Sequence, residues 1–154
     1  MSHPDPAQYF KTLIAGLSEK LDLTLDASEG MVTLVNDDQS LGMVIELSSD
    51  QDCIFVIIPV IPFPDNPEDL ANLALDAMLL NADRQALSGA CLCADAHRSQ
   101  FFLIQSLNLT SAPAEFLATL DELTALVDLV KDHLSDDIEK LSYKPTSATF
   151  DLHA

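Results

Sequence analysis

Glycine, basic side chains and aromatics are all scarce in this sequence. The four glycines, Gly16, Gly30, Gly42 and Gly89, are scattered, and none belongs to a phosphate-cradling loop or a dinucleotide fingerprint. Tryptophan is absent and aromatics make up 6% of the residues, so the core must be mainly aliphatic. Seven Lys and Arg stand against 25 Asp and Glu, a net charge of −18. A field of that sign repels phosphate backbones and anionic membranes, so neither nucleic acid nor a membrane is an expected partner. Cysteine is also rare. Cys53, Cys91 and Cys93 are odd in number and each lies in an apolar run, which argues for reduced thiols and a cytoplasmic setting. The longest strongly apolar run, Cys53 to Phe63, holds two prolines and is too short to span a bilayer. The opening Met1-Ser2-His3-Pro4-Asp5 lacks a basic region followed by an apolar stretch, so no signal peptide is expected.

What is present suits one domain. The chain has 154 residues, 48% of them hydrophobic, enough to bury a core without disulfides or a metal. The acidic excess serves either solubility or the steering of a partner, and net charge speaks to both.

The first element reads as a helix. Asp5 caps it, Pro6 opens it, and Gln8 occupies the capping-box position. Phe10, Ile14, Leu17 and Leu21 form its apolar face, flanked by Tyr9 and Leu13. Three strands follow. Met31 to Val35 is short and apolar, and Asn36 to Ser40 is a polar turn. Leu41, Met43, Ile45 and Leu47 alternate with Gly42, Val44 and Glu46. After a turn over Ser48 to Asp52, Cys53 to Val60 is apolar throughout, the pattern of a central strand covered on both faces and ending near Pro59.

Pro62 to Pro67 is a stiff connector. Asn66 can cap a second helix, Pro67 can open it, and Glu68 and Asp69 complement its dipole. This helix runs to about Asn81 and is apolar almost all round, which a small domain seldom swallows whole. One face should pack on the sheet and the other needs a second cover, most simply a two-fold copy. Gly89 to Ala94 and Phe101 to Leu109 read as a strand pair. A last helix starts near Pro113, with Phe116, Leu120, Leu123, Val127, Val130 and Leu134 as its stripe. The predicted fold is α+β, in the order α-β-β-β-α-β-β-α, with an antiparallel sheet of about five strands. Residues 1–135 form a single domain, and 136–154 are expected to be a polar, flexible tail.

The chemistry is sparse. There is no G-x-S-x-G elbow and no H-E-x-x-H helix, and His3 and His153 lie at the chain ends. Cys91, Cys93 and His97 are the best metal candidates, but no clear fourth ligand accompanies them beyond nearby Asp95, and small buried thiols are the commoner reading. Asp136, Asp137 and Glu139 lack the EF-hand pattern and read as a solvated helix end. Asn108-Leu109-Thr110 matches a glycosylation sequon, a frequent chance match that a cytoplasmic chain would not use. No catalytic residue, metal ligand or cofactor is assigned.

The length, the acidity, the element order, the strand Leu41-Gly42-Met43-Val44-Ile45-Glu46, the run to Pro59-Val60 and the apolar Leu70 to Leu80 together resemble the class I type III secretion chaperones, the Tir chaperone family. The resemblance spans Tyr9 to Leu134 and does not explain the tail. It implies a bacterial cytoplasmic homodimer that binds the N-terminal segment of a secreted effector, keeps it extended and helps deliver it to the secretion apparatus, whose ATPase is a further partner. It implies a dimer interface on the second helix and fourth strand, here Leu70, Leu73, Ala74, Ala77, Met78, Leu80 and Leu92. The effector would meet an exposed edge strand, for which Met31 to Val35 is the candidate, with Met31, Val32, Leu34, Val35, Met43 and Val44 as the expected contacts. Met31 and Met43 read equally well as adaptable contacts or as ordinary core. The alternative function is an acidic, non-catalytic adaptor or inhibitor that binds a folded or basic protein. A small enzyme with a dispersed site is the third reading, which bound zinc or stabilisation by a small molecule would favour.

Overall fold

A computed structural model describes residues 5–50, 53–83, 85–109 and 111–142. Helix α1 spans Pro6–Leu21, and its first turn is held by the Asp5 carboxylate, which accepts the Ala7 N–H at 3.3 Å. Phe10, Leu13, Ile14 and Leu17 turn inward and are buried. Leu21, expected on the same face, is 41% exposed, because the helix ends there and Asp22 turns the chain away with φ 53°. The Tyr9 hydroxyl donates to the Ser111 carbonyl, and Lys20 pairs with Asp121 at 2.5 Å, so both ends of α1 are fastened to the neighbourhood of the last helix.

Strands β1 (Met31–Val35), β2 (Leu41–Leu47) and β3 (Cys53–Pro62) form an antiparallel meander. The β1–β2 register shifts at Leu34/Val35, beside Gly42. A Cβ at Gly42 would lie 2.9 Å from Asn36 Oδ1 and 3.3 Å from the Leu34 carbonyl oxygen, so any side chain there would displace the Asn36 amide and press on the β1 backbone. Pro59 does not end β3. The strand continues to Pro62 because the ladder to β5 shifts between Pro59 and Ile61, an irregularity that accommodates a residue without an N–H.

Helix α2 covers Pro67–Ala82, opened by Pro67 and capped by Asn66, whose Oδ1 accepts the Glu68 N–H at 2.9 Å. Strands β4 (Cys91–Asp95) and β5 (Gln100–Asn108) form a second antiparallel pair. The five-stranded sheet runs β1-β2-β3-β5-β4, so β3 lies at its centre and β1 and β4 are its edges. Helix α3 covers Pro113–Ser142, and its expected stripe from Phe116 to Leu134 is buried throughout. The helix continues past Ser135, where the polar tail was expected to begin, and residues 143–154 of that tail lie outside the described residues. The predicted fold class and element order are those observed.

The core lies on one face of the sheet. Val32, Ile45 and Val56 form a cross-strand row and are all buried among side chains of α1 and α3. The neighbouring row, Thr33, Val44, Ile57 and Ile104, points the other way by the alternation of the pleat, and none of these joins the core cluster. Val44, Phe55, Ile57 and Ile104 are only half-buried. The central strand is therefore covered on one face rather than two. Its continuous apolar run reflects a second apolar face that stays half-exposed at Phe55 and Ile57, while Cys53 and Phe102, the latter under the Arg98 guanidinium, are buried at its ends.

Candidate functional site

The first region of interest is the β1 end. The Leu47 N–H donates to the Gly30 carbonyl at 2.8 Å. Bonded pairs alternate in an antiparallel ladder, so Val32/Ile45 and Leu34/Met43 face each other with their hydrogen bonds made, and Met31 and Thr33 direct theirs away from β2. The described chain places no strand on that side. Met31 and Val35 are exposed, at 46% and 57%, on this open edge. Val44 lies half-buried on the uncovered sheet face. Val32 is buried, and Leu34 and Met43 pack against the core from the helix side. Of the six residues suggested for effector contact, Met31, Val35 and Val44 are thus offered outward, and the other three support the strand from beneath.

A shallow, open groove of about 420 Å³ lies beside this end, between α1 and residues 22–28. Lys11, Ile14, Ser18, Leu23, Leu25 and Asp26 line it. Leu23 is 54% exposed. No sequence signal pointed to this groove, because residues 22–28 form no periodic element and fall against α1 only in the folded chain. The surroundings are acidic: Asp26, Glu29, Asp37, Asp38 and Glu46 are all exposed. Hydrogen bonds from the Ser28 backbone and hydroxyl hold the Asp26 carboxyl below the usual carboxylate range. The Ser40 hydroxyl and backbone do the same for Asp38, with Ser40 Oγ 2.5 Å and Ser40 N 2.9 Å from Asp38 Oδ1. Both therefore stay charged at mildly acidic pH.

The second region is α2. Leu73, Ala77 and Leu92 lie inside the protomer's own core, at 1%, 4% and 6% exposure. Leu70, Ala74 and Leu80 are half-buried against that core, and Met78 is exposed. The outward stripe is Leu75, Met78 and Leu79, at 54%, 68% and 62% exposure. Leu75 and Leu79 belong to it although the sequence pattern did not separate them from their inward neighbours, because a helix apolar on all sides gives no phase.

The metal candidates do not assemble. Cys91 and Cys93 bring their sulfurs to 3.8 Å on one face of β4, and burial followed by the nearby Cys91 thiol raises the pKa of Cys93. Among the described residues no group of three or more His, Cys, Asp or Glu could hold a metal ion. Also among them, no helix is long and apolar enough to cross a membrane.

The described residues thus form three helices and a five-stranded sheet with an open strand edge and an outward apolar stripe. The pattern of the Tir chaperone protein (CesT) family matches residues 12–132. The chain belongs to that family. It is accordingly a type III secretion chaperone, an effector-binding protein and not an enzyme. Three solved structures share the fold at low identity. One is the HopA1–SchA chaperone–effector complex, where the match has 16% identity and a TM-score of 0.61 and covers 82% of this chain and 95% of that one. Another is the ExsC–ExsE complex, at 16% identity and TM-score 0.67, covering 83% and 95%. The third is the heterodimeric ExoU–SpcU complex from the type III secretion system of Pseudomonas aeruginosa, at 15% identity and TM-score 0.55, covering 78% and 92%. No curated protein sequence matches this chaperone.

Proposed function

We propose that this chaperone is a cytoplasmic homodimer that holds the N-terminal segment of a secreted effector in extended form and presents it to the ATPase of the secretion apparatus. The open edge of β1, with Met31 and Val35 exposed along it, carries the reading. An extended segment satisfies its own backbone by pairing with such an edge, and alternate side chains then reach the uncovered face at Val44, Phe55 and Ile57. The acidic rim favours a basic segment and speeds its encounter. The groove between α1 and residues 22–28 gives the same segment a second apolar foothold. The stripe Leu75, Met78 and Leu79 supplies the contact between two copies, with Leu70, Ala74 and Leu80 flanking it.

The test is a tagged pull-down from the native bacterium, with the captured protein mapped by limited proteolysis. The expected result is a partner protected only across an N-terminal stretch, with two copies of this chain per partner. Capture of fully folded partners alone, or of none under secretion-inducing conditions, overturns the reading.

A further inference from the structure

The sheet has two edges, β1 and β4, and they are not equivalent. On β4, the Leu92 N–H donates to Asn81 Oδ1 at 2.7 Å, and Asn81 Nδ2 donates to the Leu92 carbonyl at 2.9 Å. One side-chain amide thus makes both bonds that a neighbouring strand would make at that residue. The next outward donor is also occupied, since the Ala90 N–H donates to the Leu87 carbonyl at 2.8 Å. Leu92 faces Leu103 across the ladder as a pair that does not bond to it, so Cys91 and Cys93 bond to β5 and Ala94 points outward with Leu92.

We propose that Asn81, at the end of α2, closes the β4 edge and thereby confines strand addition to β1. The amide does for β4 what proline, charge or a covering loop does for other exposed edges. Copies of this chain then associate through the α2 stripe, and a strand approaching β4 finds only the Ala94 groups open. An extended, basic segment then finds a single receptive edge on each protomer. The identity of that segment rests on the effector reading above, whereas the closing of β4 stands on the hydrogen bonds alone.

The test needs only the full chain, so its failure is separate from failure of the effector reading. In Asn81→Ala, the Leu92 amide should exchange with solvent roughly tenfold faster while core amides such as Ile45 are unchanged. The variant should also form species larger than the parent in light scattering. Adding Ala94→Pro, which removes the outward donor of β4, should return Asn81→Ala to the parent size. Asn81→Asp keeps the acceptor for the Leu92 N–H and loses the donor to its carbonyl, so it should keep the amide protected. Unchanged exchange at Leu92 in Asn81→Ala overturns the proposal. So does association that Ala94→Pro leaves intact, since that would mark general destabilisation. A general loss of protection at Ile45 with Leu92 no faster than the rest would assign Asn81 to fold stability and overturn it equally.

Discussion

Helices α1 and α2 are each 16 residues long and each opens on a capped proline, yet they dispose of their apolar side chains differently. α1 turns Phe10, Leu13, Ile14 and Leu17 into the protomer and leaves a polar face to water. α2 turns Leu73 and Ala77 inward and leaves Leu75, Met78 and Leu79 exposed. The first helix is completed by its own chain. The second presents apolar area that water solvates poorly, roughly 25 cal/mol for each Å² that a partner could cover. Within one small domain, one helix is packed by its own chain and its counterpart leaves an apolar stripe in water.

The largest expected effects test the inward faces. Phe10→Ala should cost about 3–5 kcal/mol and Leu73→Ala about 2–5 kcal/mol in urea unfolding, since each empties a fully buried position. A cost under about 1 kcal/mol for Leu73→Ala would return that residue to the interface and erase the division of α2 into two faces. Next comes the outward face. Leu79→Glu should weaken self-association by roughly a hundredfold, about 2.7 kcal/mol, in sedimentation equilibrium, with the far-ultraviolet spectrum kept. An unchanged association constant would break the comparison, because α2 would then be as complete in the protomer as α1.

Smaller effects sharpen it. Asp5→Ala and Asn66→Ala each remove one cap bond and should each cost about 1 kcal/mol, visible as similar falls in melting temperature. A fall much larger for Asn66 would show that the start of α2 is also part of the association surface. The smallest effect concerns the β1 end. Hydrogen bonds from Ser40 lower the pKa of Asp38 below its ordinary 3.8. Its contribution is therefore complete above that value and is lost as the pH falls through the lowered, folded one. Protection of the Ser40 amide should decline over that acid range in the parent and be independent of pH there in Asp38→Asn. A pH-independent Ser40 amide in the parent would remove the carboxylate from the β1–β2 turn.

Much of the fold was legible in advance. The caps at Asp5 and Asn66, the stripe from Phe116 to Leu134 and the polar turns around β2 are local signals, and each depends on residues a few positions apart. The site was legible only in outline. Met31 to Val35 is expected on an exposed edge and lies on one, but which of the six expected contacts face outward, and that β4 is the other edge, depend on where β3 and β5 pair. Leu73 and Leu92 are assigned to the interface by the family resemblance, which points to an element and not to one of its faces. Phe55 and Ile57 read as doubly covered because apolar character does not say which neighbour will cover a side chain. Asn81 gave no signal, since its partner Leu92 is brought to it only when β4 folds back beside α2.

By itself the sequence determined which segments become helix or strand, their order, the acidity of the surface and the lack of local catalytic machinery, because hydrophobic period, capping and charge are properties of neighbouring residues. Only the tertiary structure decided which face of α2 stays exposed, which face of the sheet lacks a cover and which of its edges remains open. Those outcomes depend on contacts between segments far apart in the chain, and a hydrogen-bonding group or an apolar side chain counts as unsatisfied only after every such contact has been made.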